Sequence, residues 1–182
     1  MARVFFGLPA PDGAGDRLAA WCSAVGAELP GARLVAPANL HVTLHFVGEV
    51  DDEEVGRLCA VCREVAGRAA PVAATLAGLG LLPSPARPRV VHLGVEDGAE
   101  ELRALACALR TRLGVSGGRR FLAHVTLARV RRVPRLAGER LCRLPLPPVR
   151  GTFRSLVLFQ SVLRPNGAAY QPLQAALLGG GA

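Results

Sequence analysis

The chain contains no lysine and no isoleucine, and all 22 of its basic residues are arginine. That bias follows GC-rich codons, so guanidinium in place of ammonium carries no functional message by itself. It does exclude one chemistry: no nucleotidyl group can be carried on a lysyl amine, as an ATP-dependent ligation of that kind requires. Also missing is any run of roughly 18 consecutive apolar residues, which excludes a spanning helix. The opening MARVFFGLPAPDG lacks a signal-peptide apolar core and a small-residue cleavage site. The expectation is a cytoplasmic protein without membrane association. The five cysteines are an odd number, and in a chain of this kind they do not read as a disulfide framework. Cys59-x-x-Cys62 has no second Cys pair or Cys/His pair to complete a zinc site. It lies on an apolar helical stripe with Val55, Leu58 and Val65. Cys22 and Cys107 also lie in helical patterns, and all four are expected to be buried structural residues.

What is present is ample core material. The 182 residues are 51% hydrophobic, with a mean hydropathy of +0.31, enough for one compact domain or two small lobes. A net charge of +8 and a pI near 10.8 fit a polyanionic partner such as RNA or a nucleotide, and equally fit general solubility.

Residues 2–8 read as a strand. A helix follows, started by Asp12 or Asp16 and running to about Glu28 before Pro30-Gly31. Arg33 to Val35 is a short strand candidate, and Asn39 to Val47 a longer one. Asp51 and Asp52 then cap a helix whose acidic first turn suits the macrodipole. Strands are expected over 72–82 and 89–95, joined by the Pro-rich loop 83–88, then a helix from Gly98 to Leu113 with Gly114 at its C-terminus. A strand over 121–129 precedes a proline- and arginine-rich segment, 131–150, which reads as a connection between lobes or a loop near a phosphate site. A strand over 151–163, a turn at Pro165-Asn166-Gly167 and a strand over 168–175 make a final hairpin. The tail 179–182 is expected to be disordered. Strands and helices without steady alternation indicate α+β: two antiparallel sheets facing each other across a cleft, with helices outside.

One tetrapeptide occurs twice. His41-Val42-Thr43-Leu44 and His124-Val125-Thr126-Leu127 are identical, lie 83 residues apart and hold two of the four histidines. Each has a strand-like setting, so each points a His and a Thr to one face and two aliphatic residues to the other. The repetition indicates an internal duplication that brings two imidazoles and two hydroxyls to one site. A metal site fits poorly. In a strand, His41 and His45 stand about 13 Å apart, at about 3.3 Å per residue, too far to share a metal. No Asp, Glu or Cys near either motif completes a coordination sphere. A nucleophilic threonine fits no better: a Thr two residues from its His lies about 6–7 Å away along the strand, unpaired with it. Two histidines on opposite sides of a phosphate, in contrast, can supply a base for the attacking oxygen and an acid for the leaving oxygen at neutral pH. Two threonine hydroxyls can hold the non-bridging oxygens as charge develops.

On these residues the chain resembles the two-histidine (2H) phosphoesterase superfamily, and within it the RNA 2',3'-cyclic phosphodiesterases, historically named 2'-5' RNA ligases. The superfamily motif is His-x-Thr/Ser-x, twice, with x hydrophobic. The resemblance extends over RVFFGLPAP, VAPANLHVTLHFVGEV, RPRVVHLGVE, RRFLAHVTLARV and LVLFQSVLRPNGAAYQPL, in that order. It implies one bilobal domain over 1–178 with internal pseudo-duplication. It implies metal-independent hydrolysis of RNA or nucleotide 2',3'-cyclic phosphate ends to a 2'-phosphomonoester. No cofactor and no obligate protein partner is implied, and the expected state is a monomer. His41 would be the general acid that protonates the departing 3'-oxygen, His124 the base that activates water, and Thr43 and Thr126 the phosphate ligands. Arg129 matches an Arg that commonly follows the second motif. Strict alternation puts it on the face opposite His124, so it must lie past a bulge or the strand end to help. Phe6 and Phe46 are candidates to line the cleft and stack on a base, but alternation places Phe46 on the core face, which leaves Phe6. His45 shares a face with His41 and is a candidate substrate contact. His92 and His45 read as structural or cleft-wall residues rather than catalytic ones. Two positions depart from the family pattern: Ala123 where Pro is common, and His92 where an aromatic is common. Alternatives are 2'-5' ligation at the same site, another cyclic phosphate such as ADP-ribose 1'',2''-cyclic phosphate, a small 2',5'-linked oligonucleotide, or an RNA-binding module without catalysis.

Overall fold

Period-2 runs of Val, Leu and Phe alternate along the chain with 3.6-period stripes, and the fold follows them. The computed structural model describes residues 1–179 except 86, 117–120, 132–139, 142, 145–146 and 165–166. Its elements are β1 (Ala2–Pro9), α1 (Gly15–Glu28), β2 (Arg33–Leu34), a short 3-10 turn (Pro37–Asn39), β3 (His41–Val50), α2 (Asp52–Gly67), β4 (Val72–Leu82), β5 (Val90–Val95), α3 (Ala99–Arg112), β6 (His124–Arg129), β7 (Val149–Phe153), β8 (Ser155–Arg164) and β9 (Gly167–Leu177). Most of the 131–150 segment, residues 165–166 of the expected turn and the tail from 180 onward lie outside the described residues.

The architecture is α+β, as expected. The strands form a curled antiparallel sheet in the order β7-β4-β5-β6-β3-β1-β8-β9, with β2 paired to β6. The two expected sheets are its two halves, β7-β4-β5-β6 and β3-β1-β8-β9, joined by the single pair Val42–Val125. One face carries the helices and the core; the other forms the cleft. The core-facing rows are Leu18, Trp21, Cys22 and Val25 on α1, Leu58, Val61, Cys62 and Val65 on α2, and Leu102, Leu105, Ala106 and Leu109 on α3. These rows follow i, i+3, i+4, i+7 spacing and pack on Val4, Phe6, Leu8, Val42, Val125 and Leu127 of the strands.

Several local expectations change. Asp51 does cap α2, its carboxylate accepting from the Glu54 amide at 2.9 Å. Neither Asp12 nor Asp16 caps α1, whose N-cap is Ala14. Asp12 instead bridges Thr152 through its backbone and holds Arg154 through its carboxylate at 3.1 Å. The single strand expected over 151–163 is two strands, because Arg154 leaves the ladder and its carbonyl accepts from Leu178 at 2.8 Å. The chain thereby passes from β4's flank to β1's flank, one half of the sheet to the other. Cys107 is exposed, since it falls beside the α3 stripe rather than on it, and Cys59 is half-buried. Cys62 is buried, its thiol pointing at the Leu156 carbonyl at 3.4 Å, and burial pushes its pKa up to about 12. Among the described residues no helix is long and apolar enough to cross a membrane.

Candidate active site

The two motif strands meet at their second residues. Val42 and Val125 pair directly, and both are fully buried on the core side. Their neighbours on each strand therefore face the cleft. Antiparallel register about that pair runs His41 toward Thr126 and Thr43 toward His124. The duplication thus becomes a local two-fold arrangement of two imidazoles and two hydroxyls.

The histidines are held alike. Nδ1 of His41 donates to the Asn39 carbonyl at 2.6 Å, and Nδ1 of His124 donates to the Leu122 carbonyl at 2.8 Å. A carbonyl oxygen only accepts, so Nδ1 carries a proton in both rings, and Nε2 is the nitrogen left to face a ligand. Nε2 of His41 also lies 3.0 Å from the Thr43 hydroxyl. The expectation that a Thr two residues away is unpaired with its His fails here. It counted backbone rise alone, whereas the ring extends along the strand and closes the gap. Burial lowers the His41 pKa from its ordinary value, and the nearby His124 and Arg129 lower it further; the Asn39 bond opposes them in part.

A bulge follows each motif. On β3, Thr43 pairs with Gly7 and His45 with Phe6, so Leu44 is the extra residue. On β6, Thr126 pairs with His92 and Ala128 with Val91, so Leu127 is extra. An extra residue reverses the alternation beyond it. Arg129 is thereby turned onto the cleft face, which meets the condition that the sequence set for it. The same reversal on β3 overturns the expectations for His45 and Phe46, and burial on β1 overturns the one for Phe6. His45, directly opposite the fully buried Phe6, faces the helices, where burial and then Arg110 of α3 lower its pKa. Phe6 is core and lines no cleft. Phe46 is 66% exposed, opposite Phe5 on the cleft face, with ring centroids 5.6 Å apart. Phe46 and Arg129 occupy equivalent positions, five residues after each motif histidine.

Comparison with known proteins shows the family. The family described as LigT like Phosphoesterase matches the chain twice, over residues 8–92 and 93–170, one match for each motif. The chain belongs to the LigT-like, two-histidine phosphoesterases. It is 34% identical over 155 residues to the RNA 2',3'-cyclic phosphodiesterase of Archaeoglobus fulgidus, covering 79% of this chain and 82% of that one. A Thermus thermophilus structure superposes with a TM-score of 0.77 at 29% identity, covering 98% of both chains. E. coli LigT in complex with 3'-AMP superposes with a TM-score of 0.73 at 27% identity, covering 97% of this chain and 98% of that one.

In this LigT-like chain the sequence did not single out the aromatic wall around His41. Phe5, Phe159 and Tyr170 place ring centroids 5.0, 5.9 and 5.0 Å from the imidazole. They come from β1, β8 and β9, and only long-range pairing assembles them. Beside them opens a cavity of about 610 Å³, lined among others by Arg3, Arg33, Phe46, Arg129 and Tyr170. Among the described residues no group of three or more His, Cys, Asp or Glu side chains could hold a metal ion.

His92 packs against the second motif. It is 7% exposed, stands opposite Thr126 and meets the His124 ring edge-on at 4.9 Å. Its other cross-strand neighbour is Gly80, where a Cβ would lie 2.5 Å from His92 Nε2; only glycine leaves room for the ring. Burial, and then His124, push the His92 pKa down to about 4. The unfolded chain takes up this proton near 6.5 and the folded chain only near 4. Stability from the neutral ring is therefore complete above about 6.5 and is lost as pH falls toward 4, by up to ~3 kcal/mol. His92→Phe should flatten that part of a stability–pH curve obtained by urea denaturation. An unaltered slope would mean that another group titrates.

Proposed function

We propose that this chain hydrolyses RNA 2',3'-cyclic phosphodiester ends to 2'-phosphomonoesters by metal-independent acid–base catalysis at the paired motifs. The observation that carries the reading is the two-fold arrangement itself: two imidazoles with Nδ1 anchored on backbone carbonyls and Nε2 left to exchange protons. The name of the Archaeoglobus relative and the 3'-AMP bound to E. coli LigT support the substrate class.

In this reading His124 Nε2 takes the proton of a water that attacks phosphorus. His41 Nε2 gives a proton to the departing ribose 3'-oxygen. Thr43 and Thr126 donate hydrogen bonds to the non-bridging oxygens, where charge grows as the ring opens. Arg129 adds a guanidinium to the same field. The lowered proton affinity of His41 in the free protein has a counterpart in the complex. A bound phosphate anion offsets Arg129 and His124 and raises the affinity of His41 when the acid is needed. Phe46, in place of Phe6, offers the exposed aromatic face for a base. The chain acts as one bilobal domain over 1–178, supported by the doubled family match, and as a cytoplasmic monomer without cofactor.

The test is turnover of a 2',3'-cyclic-ended RNA in excess EDTA, with the product isomers separated chromatographically. A 2'-phosphate is expected. A 3'-phosphate would reverse the substrate between His41 and His124, and absence of turnover by folded protein would sink the hydrolytic reading.

A further inference from the structure

β2 contributes only Arg33 and Leu34, yet it pairs with the end of β6 in a register that sets Arg33 directly opposite Arg129. Residues opposite each other on antiparallel strands share a face, and Arg129 faces the cleft beyond its bulge. Two guanidinium groups are thus fixed side by side at the cavity, and neither can lose its charge near neutral pH. Like charges directly opposite destabilise a strand pair. Some arginines elsewhere are neutralised: Arg57, Arg103, Arg112, Arg140 and Arg154 each hold a carboxylate within 3.1 Å. Among the described residues Arg33 and Arg129 form no ion pair. Arg3 reaches the same cavity from β1, alternating with Phe5 on the cleft face, and has Glu49 opposite it. The net result is a cationic rim with an unmet demand for an anion.

The cyclic phosphate held by the two His-x-Thr motifs does not meet that demand alone. It carries one negative charge. Arg129 lies three residues along β6 from Thr126, roughly 10 Å at about 3.3 Å per step, and Arg33 lies on the strand beyond. A nucleotide chain places its next phosphate a short distance from its last, and long arginine side chains span the remainder. We propose that Arg33, flanked by Arg129 and Arg3, binds a second phosphate of the substrate. This is the phosphodiester one nucleotide upstream of the cyclic end, so the site prefers an RNA chain end to a mononucleoside cyclic phosphate. The assignment rests on the hydrolytic reading above and deepens it. Arginine suits the task because its planar fork matches two phosphate oxygens at once.

The test compares kcat/KM for a mononucleoside 2',3'-cyclic phosphate and for a dinucleotide ending in the same cyclic phosphate, in the unmodified protein and in Arg33→Gln and Arg33→Lys. Arg33 is exposed, and thermal unfolding checks that the variants fold. The unmodified protein should favour the dinucleotide by about tenfold or more, the scale of one charge-assisted phosphate contact. Arg33→Gln should erase most of that preference while changing the mononucleotide value less than about twofold, and Arg33→Lys should keep part of it. Raising the salt concentration should shrink the preference in the unmodified protein and in Arg33→Lys, and change little in Arg33→Gln. Equal use of both substrates, or an equal loss on both in Arg33→Gln, overturns the assignment. Turnover of the mononucleotide reports separately on the hydrolytic reading. If neither substrate reacts, calorimetric affinities for a dinucleotide with a terminal 2'-phosphate and for a nucleoside 2'-phosphate still decide the matter. Equal affinities overturn the subsite, and a preference lost in Arg33→Gln sustains it.

Discussion

His41→Ala and His124→Ala are each expected to lower kcat by about 10²–10⁴-fold, the range of one positioned acid or base. Neither change should unfold the protein. The rings lie on the cleft face, while the buried Val42–Val125 pair that joins the two halves is untouched. His41→Ala leaves a gap among Phe5, Phe159 and Tyr170, so it should cost more stability than His124→Ala. The roles separate by pH. With His124 removed, only the acid requirement remains, and residual activity should fall as pH rises and His41 loses its proton. Burial sets that break below the ordinary 6.5 in kcat/KM. In kcat the break should move upward, since the bound anion favours protonated His41. With His41 removed, only the base requirement remains, and residual activity should rise with pH. The unmodified protein should give a bell whose two limbs belong to the pair. Opposite trends in the two variants would exchange the roles of the histidines, and a full rate in either would remove that residue from the mechanism.

The site was legible because the repeat is short, identical and strand-like. A period of two is enough to send His and Thr to one face and Val and Leu to the other. The α2 cap and helices α1, α2 and α3 were legible for the same reason: Asp51, the acidic first turn and the apolar stripes are local signals. What could not be read is set by partners across the sheet. Nothing in HVTLHF or HVTLAR demands an extra residue at the leucine; the bulge exists because β1 and β5 pair on both sides of it. That feature misplaced His45 and Phe46, and on the other strand it met the condition stated for Arg129; Phe6 lies on β1, whose unbroken buried run shows no alternation to read. The aromatic wall has the same origin, since Phe5, Phe159 and Tyr170 are neighbours only through the β1–β8 and β8–β9 registers. The proximity of His41 Nε2 to Thr43 escaped a count of backbone steps because side chains lean along the strand as well as away from it.

The sharpest contrast lies in two phenylalanines that the sequence placed on the wrong faces, Phe6 on β1 and Phe46 beyond the bulge of β3. Phe6→Ala should cost about 3–5 kcal/mol, as for a fully buried aromatic whose space cannot collapse, since Phe6 is 0% exposed within the main core cluster. At this chain length that corresponds to a fall in Tm of roughly 10 °C or more. KM for a cyclic nucleotide should change little at a temperature where the variant stays folded, because Phe6 points away from the cleft. Phe46→Ala should behave in the opposite way. Its ring is 66% exposed and lies tilted against Phe5, so Tm should hold within about 2 °C, as for a surface change worth under ~0.5 kcal/mol. Loss of a stacking face worth about 1–3 kcal/mol should raise KM roughly 5- to 150-fold for a substrate that carries a base, with a smaller effect on kcat. Thermal unfolding and steady-state kinetics on the two variants together decide the matter. If Phe6→Ala raises KM and Phe46→Ala lowers Tm, the faces described for the two rings are wrong.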